Sequence, residues 1–399
     1  MSWLLLALGV FAFVSALNAL IPFQRAWRHL LAPSYMLQLY ASELVPLHLV
    51  LNSVLVAVLV YFGALAHWSG WVGLGFAAAA LALYGLVARR ARQSTGAVLS
   101  QAFEGLALTP LPVLSRLQPL ALVSGPWSRA GFSYGPSRRN RLDVYKPSHS
   151  SGPAPVLVYV HGGAWVMGSK RQQGRHLIEH FVRHGWVCVS INYRLSPRVK
   201  WPEHLHDCKR ALAWVHEHIA EHGGDPSRIV VAGGSAGAQL AAMLALTPNR
   251  ADLQPGFESA DTSVRACLAY YGPFDVAQLF NGHRGMLVNA RLARRIFGTV
   301  PWESAEPFER ASPLKLVHPG APPFLVVHGT HDLMVPLEQS RAFADAMRAA
   351  HAQVVHVELP GAIHAFDVFR SWRTGLVAQA SLAFAEGAVS LPTQVARLS

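Results

Sequence analysis

The stretch Val230-Val231-Ala232-Gly233-Gly234-Ser235-Ala236-Gly237-Ala238 decides how the rest of the chain is read. A short β-branched run ends in Gly-Gly-Ser-Ala-Gly, and a run of small helix formers starts directly behind it. This is a G-x-S-x-G turn, which lifts a serine hydroxyl out at the end of a strand and feeds straight into a helix. Gly233 and Gly237 bring no side chain to the places where such a turn packs against neighbouring strands. A glycine-rich turn after a strand can also be only a turn, so its meaning depends on what else the chain supplies.

Working outward, strands and helices alternate. Gly131–Tyr134 and Arg141–Tyr145 read as an antiparallel hairpin, and Pro155-Val-Leu-Val-Tyr-Val160 is a continuous apolar run of the kind buried on both faces. A helix is expected over 171–184, a strand over 186–191, a helix over 202–221, and the strand into the turn over 228–232. Beyond the turn come a helix over 236–246, strands near 264–271, 323–328 and 354–358, a helix over 337–350, and a helical tail over 368–388. That order predicts a mostly parallel sheet covered on both faces. About fifty residues between the strands near 271 and 323 lack a strand pattern. They include the basic apolar segment Leu287–Phe297 and suit a helical cap, placed at about 272–322.

Three further features fall at strand ends, where open α/β sheets bind ligands. His161-Gly162-Gly163-Ala164-Trp165 follows the strand ending at Val160, and its paired glycines let main-chain N–H groups converge. With the amide of Ala236, the residue after the serine, Gly162 and Gly163 are expected to form an oxyanion hole. Asp332 lies just past one strand, and His364 lies in the loop after the last. The order Ser235, Asp332, His364 is the one this chemistry uses on such a sheet. A serine hydroxyl is a poor nucleophile until a histidine takes its proton, and an aspartate holds that histidine in the useful tautomer. His161, Trp165 and Gly234 are expected to support the site rather than react. His328 and His331 flank the aspartate without an arrangement that suggests a metal, and no metal or organic cofactor is expected.

The composition adds a location. The 399 residues are 52% apolar with a formal charge of +12, and the apolar excess sits at the N-terminus. The arginines are scattered, with no zinc-finger spacing or basic helix, so no nucleic-acid partner is expected. A membrane protein facing anionic lipid accounts for the charge more simply. Cys188, Cys208 and Cys267 are widely spaced and read as reduced core residues.

Residues 1–92 are expected to form a transmembrane region with candidate helices at 3–21, 44–65 and 70–88, each near the length a bilayer core requires. Met1 and Ser2 carry no side-chain charge ahead of the first run, which favours a retained helix over a signal peptide. Arg25 and Arg28 follow the first span, and Arg89, Arg90 and Arg92 the third. With these clusters inside, the catalytic domain faces the cytoplasm and the protein is integral to the inner or plasma membrane. The segment from Tyr35 to Pro46 has an interfacial character. Residues 93–128 form an apolar linker that packs beside the membrane or lines an entrance, 129–389 the catalytic domain, and 390–399 a tail.

The chain from about 129 to 388 resembles α/β-hydrolase carboxylesterases of the hormone-sensitive-lipase-like group, including membrane-tethered bacterial esterases and arylacetamide deacetylases. The matching pieces are His161–Trp165, Asn192-Tyr-Arg-Leu-Ser-Pro197 with Trp201-Pro-Glu203, Gly224-Asp-Pro-Ser-Arg228, Gly233–Gly237, His328–Asp332 with Val335-Pro336, and His364–Phe366. The resemblance implies an α/β-hydrolase fold, a Ser235–Asp332–His364 triad and an oxyanion hole at Gly162, Gly163 and Ala236. Two positions depart from the family pattern: Gly234 stands where an aspartate is common, and Ser196-Pro197-Arg198 replaces the usual Ala-Pro-Glu.

The function expected is hydrolysis of a lipophilic carboxylic ester, with membrane lipid as the other partner. An amidase or deacetylase of acylated amines would use the same groups. A membrane-anchored interaction protein on an inactive hydrolase fold is the alternative outside enzymes. Acyl length and oligomeric state are not encoded in any of these patterns.

Overall fold

The computed structural model describes residues 1–21, 31–109, 127–148, 152–281 and 290–390. Among the described residues four N-terminal helices come first: α1 (Ser2–Leu20), α2 (Leu31–Glu43), α3 (Val45–Tyr61) and α4 (Trp68–Ala102). The strands that follow are β1 (Trp127–Ser133), β2 (Arg141–Pro147), β3 (Ala154–Val160), β4 (Val187–Ile191), β5 (Gly224–Gly234), β6 (Ala266–Tyr270), β7 (Phe324–Gly329) and β8 (Val354–Leu359). Interleaved with them are α5 (Arg175–Arg183), α6 (Glu203–His218), α7 (Ala236–Leu246), α8 (Val276–Asn281), α9 (Ala290–Phe297), α10 (Glu306–Arg310), α11 (Glu338–Ala349) and α12 (Trp372–Ser390).

The sheet order is β1-β2-β4-β3-β5-β6-β7-β8. β1 pairs antiparallel with β2, and β2 with β4; every other pair is parallel. Alternation along β3 divides the core: Val156, Val158 and Val160 face a cluster with α6, α7 and the 272–322 insertion, while Tyr159 and Leu157 face one with α5 and α12. Every residue of α7 is buried, which explains its Ala, Leu and Met composition. The described part of the β6–β7 insertion includes the helices α8, α9 and α10. The rings of Phe280, Phe297 and Phe308 pack at centroid distances of 4.2–5.8 Å, forming a cap anchored by the Trp201 N–H on the Ile296 carbonyl at 2.8 Å. Leu287 to Asn289 of the expected basic segment lie outside the described residues, as do residues 391–399 of the expected tail.

Of the three candidate spans, α1 and α4 are long and apolar enough to cross a membrane; α3 has 17 residues and meets α2 at a 94° bend. α1 and α4 run parallel: Trp3 packs on Trp68 at 5.6 Å and Phe13 on Phe76 at 5.5 Å, while Ala16 and Ala19 cluster with Tyr84 and Val87. Small residues allow the close approach, since a Cβ on Gly9 would lie 2.3 Å from the Gly73 carbonyl oxygen. α3 runs the other way, with His48 stacked on Tyr84 at 5.0 Å and Leu59 beside Leu5 and Ala64. Arg25 and Arg28 lie outside the described residues.

Several expected boundaries move. α4 does not end at 88 but continues through Arg89, Arg90 and Arg92 to Ala102, so the first ten residues of the expected 93–128 linker are helix. The apolar run ends at Val87, but Ala, Arg and Gln continue a helix well and nothing in 88–102 caps it. Leu99, Phe103 and Leu106 pack on the α12 side of the sheet core, and Arg92 lies 5.1 Å from the Trp372 ring. Leu111, Leu114, Leu117 and Leu120 lie outside the described residues. β5 begins at Gly224 rather than 228, through a register shift opposite Ala154–Val156. α5 begins at Arg175 rather than 171, after Gly174 in a left-handed conformation.

Candidate active site

The turn after β5 is held by its neighbours. Ser235 has φ 58° and ψ −127°, a strained backbone that only surrounding structure can impose. Its N–H donates to the Tyr270 carbonyl at 2.9 Å, and its own carbonyl accepts the Ala238 N–H at 2.9 Å. A Cβ on Gly233 would stand 2.3 Å from the Gly237 oxygen, and one on Gly237 would stand 2.1 Å from the Val160 oxygen. Only glycine fits at either place. The serine itself is left half-buried at the C-terminal end of the sheet.

The two sequence-predicted partners converge on it. His364 Nε2 lies 2.8 Å from Ser235 Oγ, and His364 Nδ1 lies 2.7 Å from Asp332 Oδ2. With Nδ1 donating to the carboxylate, Nε2 is left to accept the serine proton. Asp332 is buried, and its Oδ1 accepts the N–H groups of Met334 and Val335, each at 2.9 Å. Burial alone would raise its pKa, but His364 and His328 outweigh that and hold it well below the usual carboxylate range. His328, expected only to flank the aspartate, is a second imidazole on it, with Nε2 at 3.2 Å from Oδ2 and 3.0 Å from the Val335 oxygen.

The glycine loop after β3 needs one correction. The Gly162 N–H, expected in the oxyanion hole, donates to Gln173 Oε1 at 2.7 Å and is already occupied. The next three residues turn left-handed, with φ of 114° at Gly163, 51° at Ala164 and 59° at Trp165. Among the described residues the amides of Gly163, Ala164 and Ala236 have no protein acceptor. The free Ala164 amide is one that sequence reasoning passed over, because nothing local showed that Gln173, eleven residues on, would fold back to claim the first amide. His161 is buried, donates from Nδ1 to the Gly162 oxygen at 2.8 Å and stacks on Tyr193 at 4.4 Å. Burial depresses its pKa to about 4, so it stays neutral. Trp165 donates to Gln239 on α7 at 3.0 Å, and Gln239 donates to the Ala311 carbonyl at 2.7 Å, tying the loop to the cap.

Behind the histidine, Tyr271 sets its ring edge against His364 at 4.7 Å and donates its hydroxyl to the buried Asp367. Burial pushes the Asp367 carboxyl above its ordinary range. Neither residue stands out in the sequence, since both read as ordinary core or loop positions. Among the described residues no three His, Cys, Asp or Glu side chains gather as a metal site.

A mostly parallel sheet with a strained serine at one strand end, a histidine and a carboxylate in line with it, and a helical cap defines the α/β-hydrolase fold class. The sequence model of the BD-FAE family matches residues 142–347, and the chain belongs to that family. It is similar to Esterase LipQ of Mycobacterium tuberculosis, with 47% identity over 67% of this chain and 65% of LipQ. It is also similar to the probable carboxylic ester hydrolase LipM of the same organism, with 42% identity over 72% of this chain and 67% of LipM. The chain thus spans about two thirds of the length of these relatives. Among solved structures, Thermogutta terrifontis esterase 2 phosphonylated by sarin superposes with a TM-score of 0.55, at 29% identity, over 66% of this chain and 95% of that one.

Proposed function

We propose that this protein is a serine carboxylic ester hydrolase acting on a lipophilic ester through an acyl-enzyme. The observation that carries the reading is the single line of contacts from Ser235 Oγ through His364 to Asp332, at 2.8 and 2.7 Å. Ser235 attacks the ester carbonyl while His364 Nε2 takes its proton. The tetrahedral oxyanion lies against the amides of Gly163, Ala164 and Ala236, donors of a kind worth about 3 kcal/mol each in a transition state. His364 then returns the proton to the departing alcohol; in the second step it takes one from the attacking water and gives it to Ser235 Oγ as the acid leaves. Asp332 stays ionised and stabilises the imidazolium.

The esterase names of LipQ and LipM, and the organophosphate-modified state of the Thermogutta enzyme, support the same chemistry. The motif set favours the membrane-tethered, hormone-sensitive-lipase-like group. The long apolar helices α1 and α4, with α3 as an antiparallel third leg, support anchorage in a bilayer and hence a bilayer-borne substrate. Arg89, Arg90 and Arg92 at the hydrolase end of the apolar run support a cytoplasmic catalytic domain.

Fluorophosphonate labelling of the full chain, abolished in Ser235→Ala, tests the reading directly. Replacing Asp332 with Asn is expected to lower ester kcat about 10⁴-fold. Labelling that survives in Ser235→Ala, or matched amides cleaved faster than esters, would sink it. A series of vesicle-dispersed and water-soluble esters tests the substrate class; equal turnover of both would count against a bilayer-borne substrate.

A further inference from the structure

α2 touches the loop of the catalytic histidine and the start of α12 at Tyr35, Tyr40 and Glu43. Tyr35 Oη donates to the main-chain carbonyl of His364 at 3.0 Å. Tyr40 lies ring to ring with Phe369 at 5.7 Å, and Glu43 closes the helix in a buried ion pair with Arg373. Residues 35, 40 and 43 thus run alongside 364, 369 and 373. At its other end α2 is tied to α1 by a reciprocal pair: Asn18 Nδ2 donates to the Ser34 carbonyl, and Ser34 Oγ to Asn18 Oδ1, both at 2.8 Å. An unbroken chain of contacts therefore leads from the apolar bundle to the histidine.

The histidine has need of such support. It sits between Leu359, the end of β8, and Trp372, the start of α12, in a stretch with no regular element. Its side chain is fixed by Asp332 and Tyr271, but the only donor to its carbonyl among the described residues is Tyr35. The Glu43–Arg373 pair is an anchor of a particular kind: both side chains are at most 3% exposed, so separating them would strand two desolvated charges. α2 is therefore held at one fixed place on the hydrolase fold.

We propose that α2 is a working part of the active site and that Tyr35 is a positioning residue for His364. Turnover then depends on α2 being seated between the apolar bundle and the hydrolase fold. The inference rests on the esterase reading above. It makes membrane anchorage more than a tether, because the helix tied to the apolar bundle also sets the catalytic base.

The experiment uses the full chain in lipid vesicles, a short water-soluble nitrophenyl ester, and active-site titration with a fluorophosphonate. Tyr35→Phe removes one hydroxyl. It is expected to lower kcat per titrated site about fivefold, the rate equivalent of one ordinary hydrogen bond, with KM unchanged within about twofold. Fluorophosphonate inactivation should slow by the same factor, since it also needs the histidine in place. A merely structural role would reduce the number of titratable sites and leave turnover per site alone. The double variant Glu43→Met, Arg373→Met releases the other end of α2 without stranding a charge. It should lower kcat per site in the same direction, and adding Tyr35→Phe to it should change little further. Tyr61→Phe, 84% exposed at the far end of the bundle, serves as the unchanged control. Turnover per site in Tyr35→Phe equal to wild type, or a loss confined to KM, overturns the inference while leaving the esterase reading intact. A wild-type chain that is not labelled at Ser235 overturns both.

Discussion

Tyr271 puts its hydroxyl where a side chain at position 234 would stand: a Cβ on Gly234 would meet Tyr271 Oη at 2.6 Å. The aspartate common at this position in related elbows is thus excluded by a tyrosine whose hydroxyl is itself committed to Asp367. The departure at Gly234 and the Tyr271–Asp367 pair are one feature. Introducing an aspartate with Gly234→Asp is expected to destabilise the protein by about 1–3 kcal/mol through overpacking, and to lower kcat by displacing Tyr271 from His364. Thermal unfolding together with ester turnover checks this; a fully stable, fully active variant would show that the pocket has room.

Gln173 is expected to matter for turnover although it is remote from the nucleophile in sequence. Gln173→Leu removes the acceptor of the Gly162 N–H and loosens the loop that presents Gly163 and Ala164. The loss is expected mainly in kcat, about tenfold, because an oxyanion hole acts on the transition state rather than on the bound ester. Steady-state kinetics separates the cases, and a change confined to KM would place Gln173 in substrate binding instead.

Removing Arg373 alone should cost far more than removing its ion pair. In Arg373→Met the buried Glu43 carboxylate loses its partner, a change that typically costs about 3–5 kcal/mol, whereas Glu43→Met with Arg373→Met should recover most of the loss. Thermal midpoints in detergent micelles measure the difference. Equal midpoints for the single and double variants would mean that the pair is wetter than its burial implies.

Stability should fall as the medium is acidified from neutrality. Burial holds His161, His180, His204 and His356 at about 4 and His176 at about 3, all below the ordinary 6.5. Between about 6.5 and 4 the unfolded chain takes up protons at these rings while the folded chain does not, so falling pH favours unfolding. Asp332, held low in the folded state, extends the loss below the ordinary carboxylate range. The midpoint of thermal unfolding is expected to decline steadily from pH 7 to 4.5; a flat profile would mean these rings are hydrated.

Much of the site was legible because its chemistry is written in local words. The elbow glycines sit in one short pattern around Ser235, even though Gly237 is required by the approach of Val160 from another strand, and the partners follow strands whose apolar runs announce them. The alternation along β3 and the small residues of α7 likewise announce burial. The ends of α4 and the start of β5 were not legible, since hydropathy marks where apolar character stops and not where backbone hydrogen bonding stops.

What the amino-acid sequence by itself determined is the reaction frame: a parallel sheet, Ser235 at its turn, and Asp332 and His364 in order behind it, each specified by short-range pattern. What only the tertiary structure decided is which groups close around that frame. Gln173 takes the Gly162 amide, Tyr271 fills the place beside Gly234, and Tyr35 holds the His364 carbonyl across 329 residues of chain. Such pairings depend on how packed elements meet in space. No periodicity or spacing records them, because the residues involved are ordinary until the fold brings them within hydrogen-bond reach.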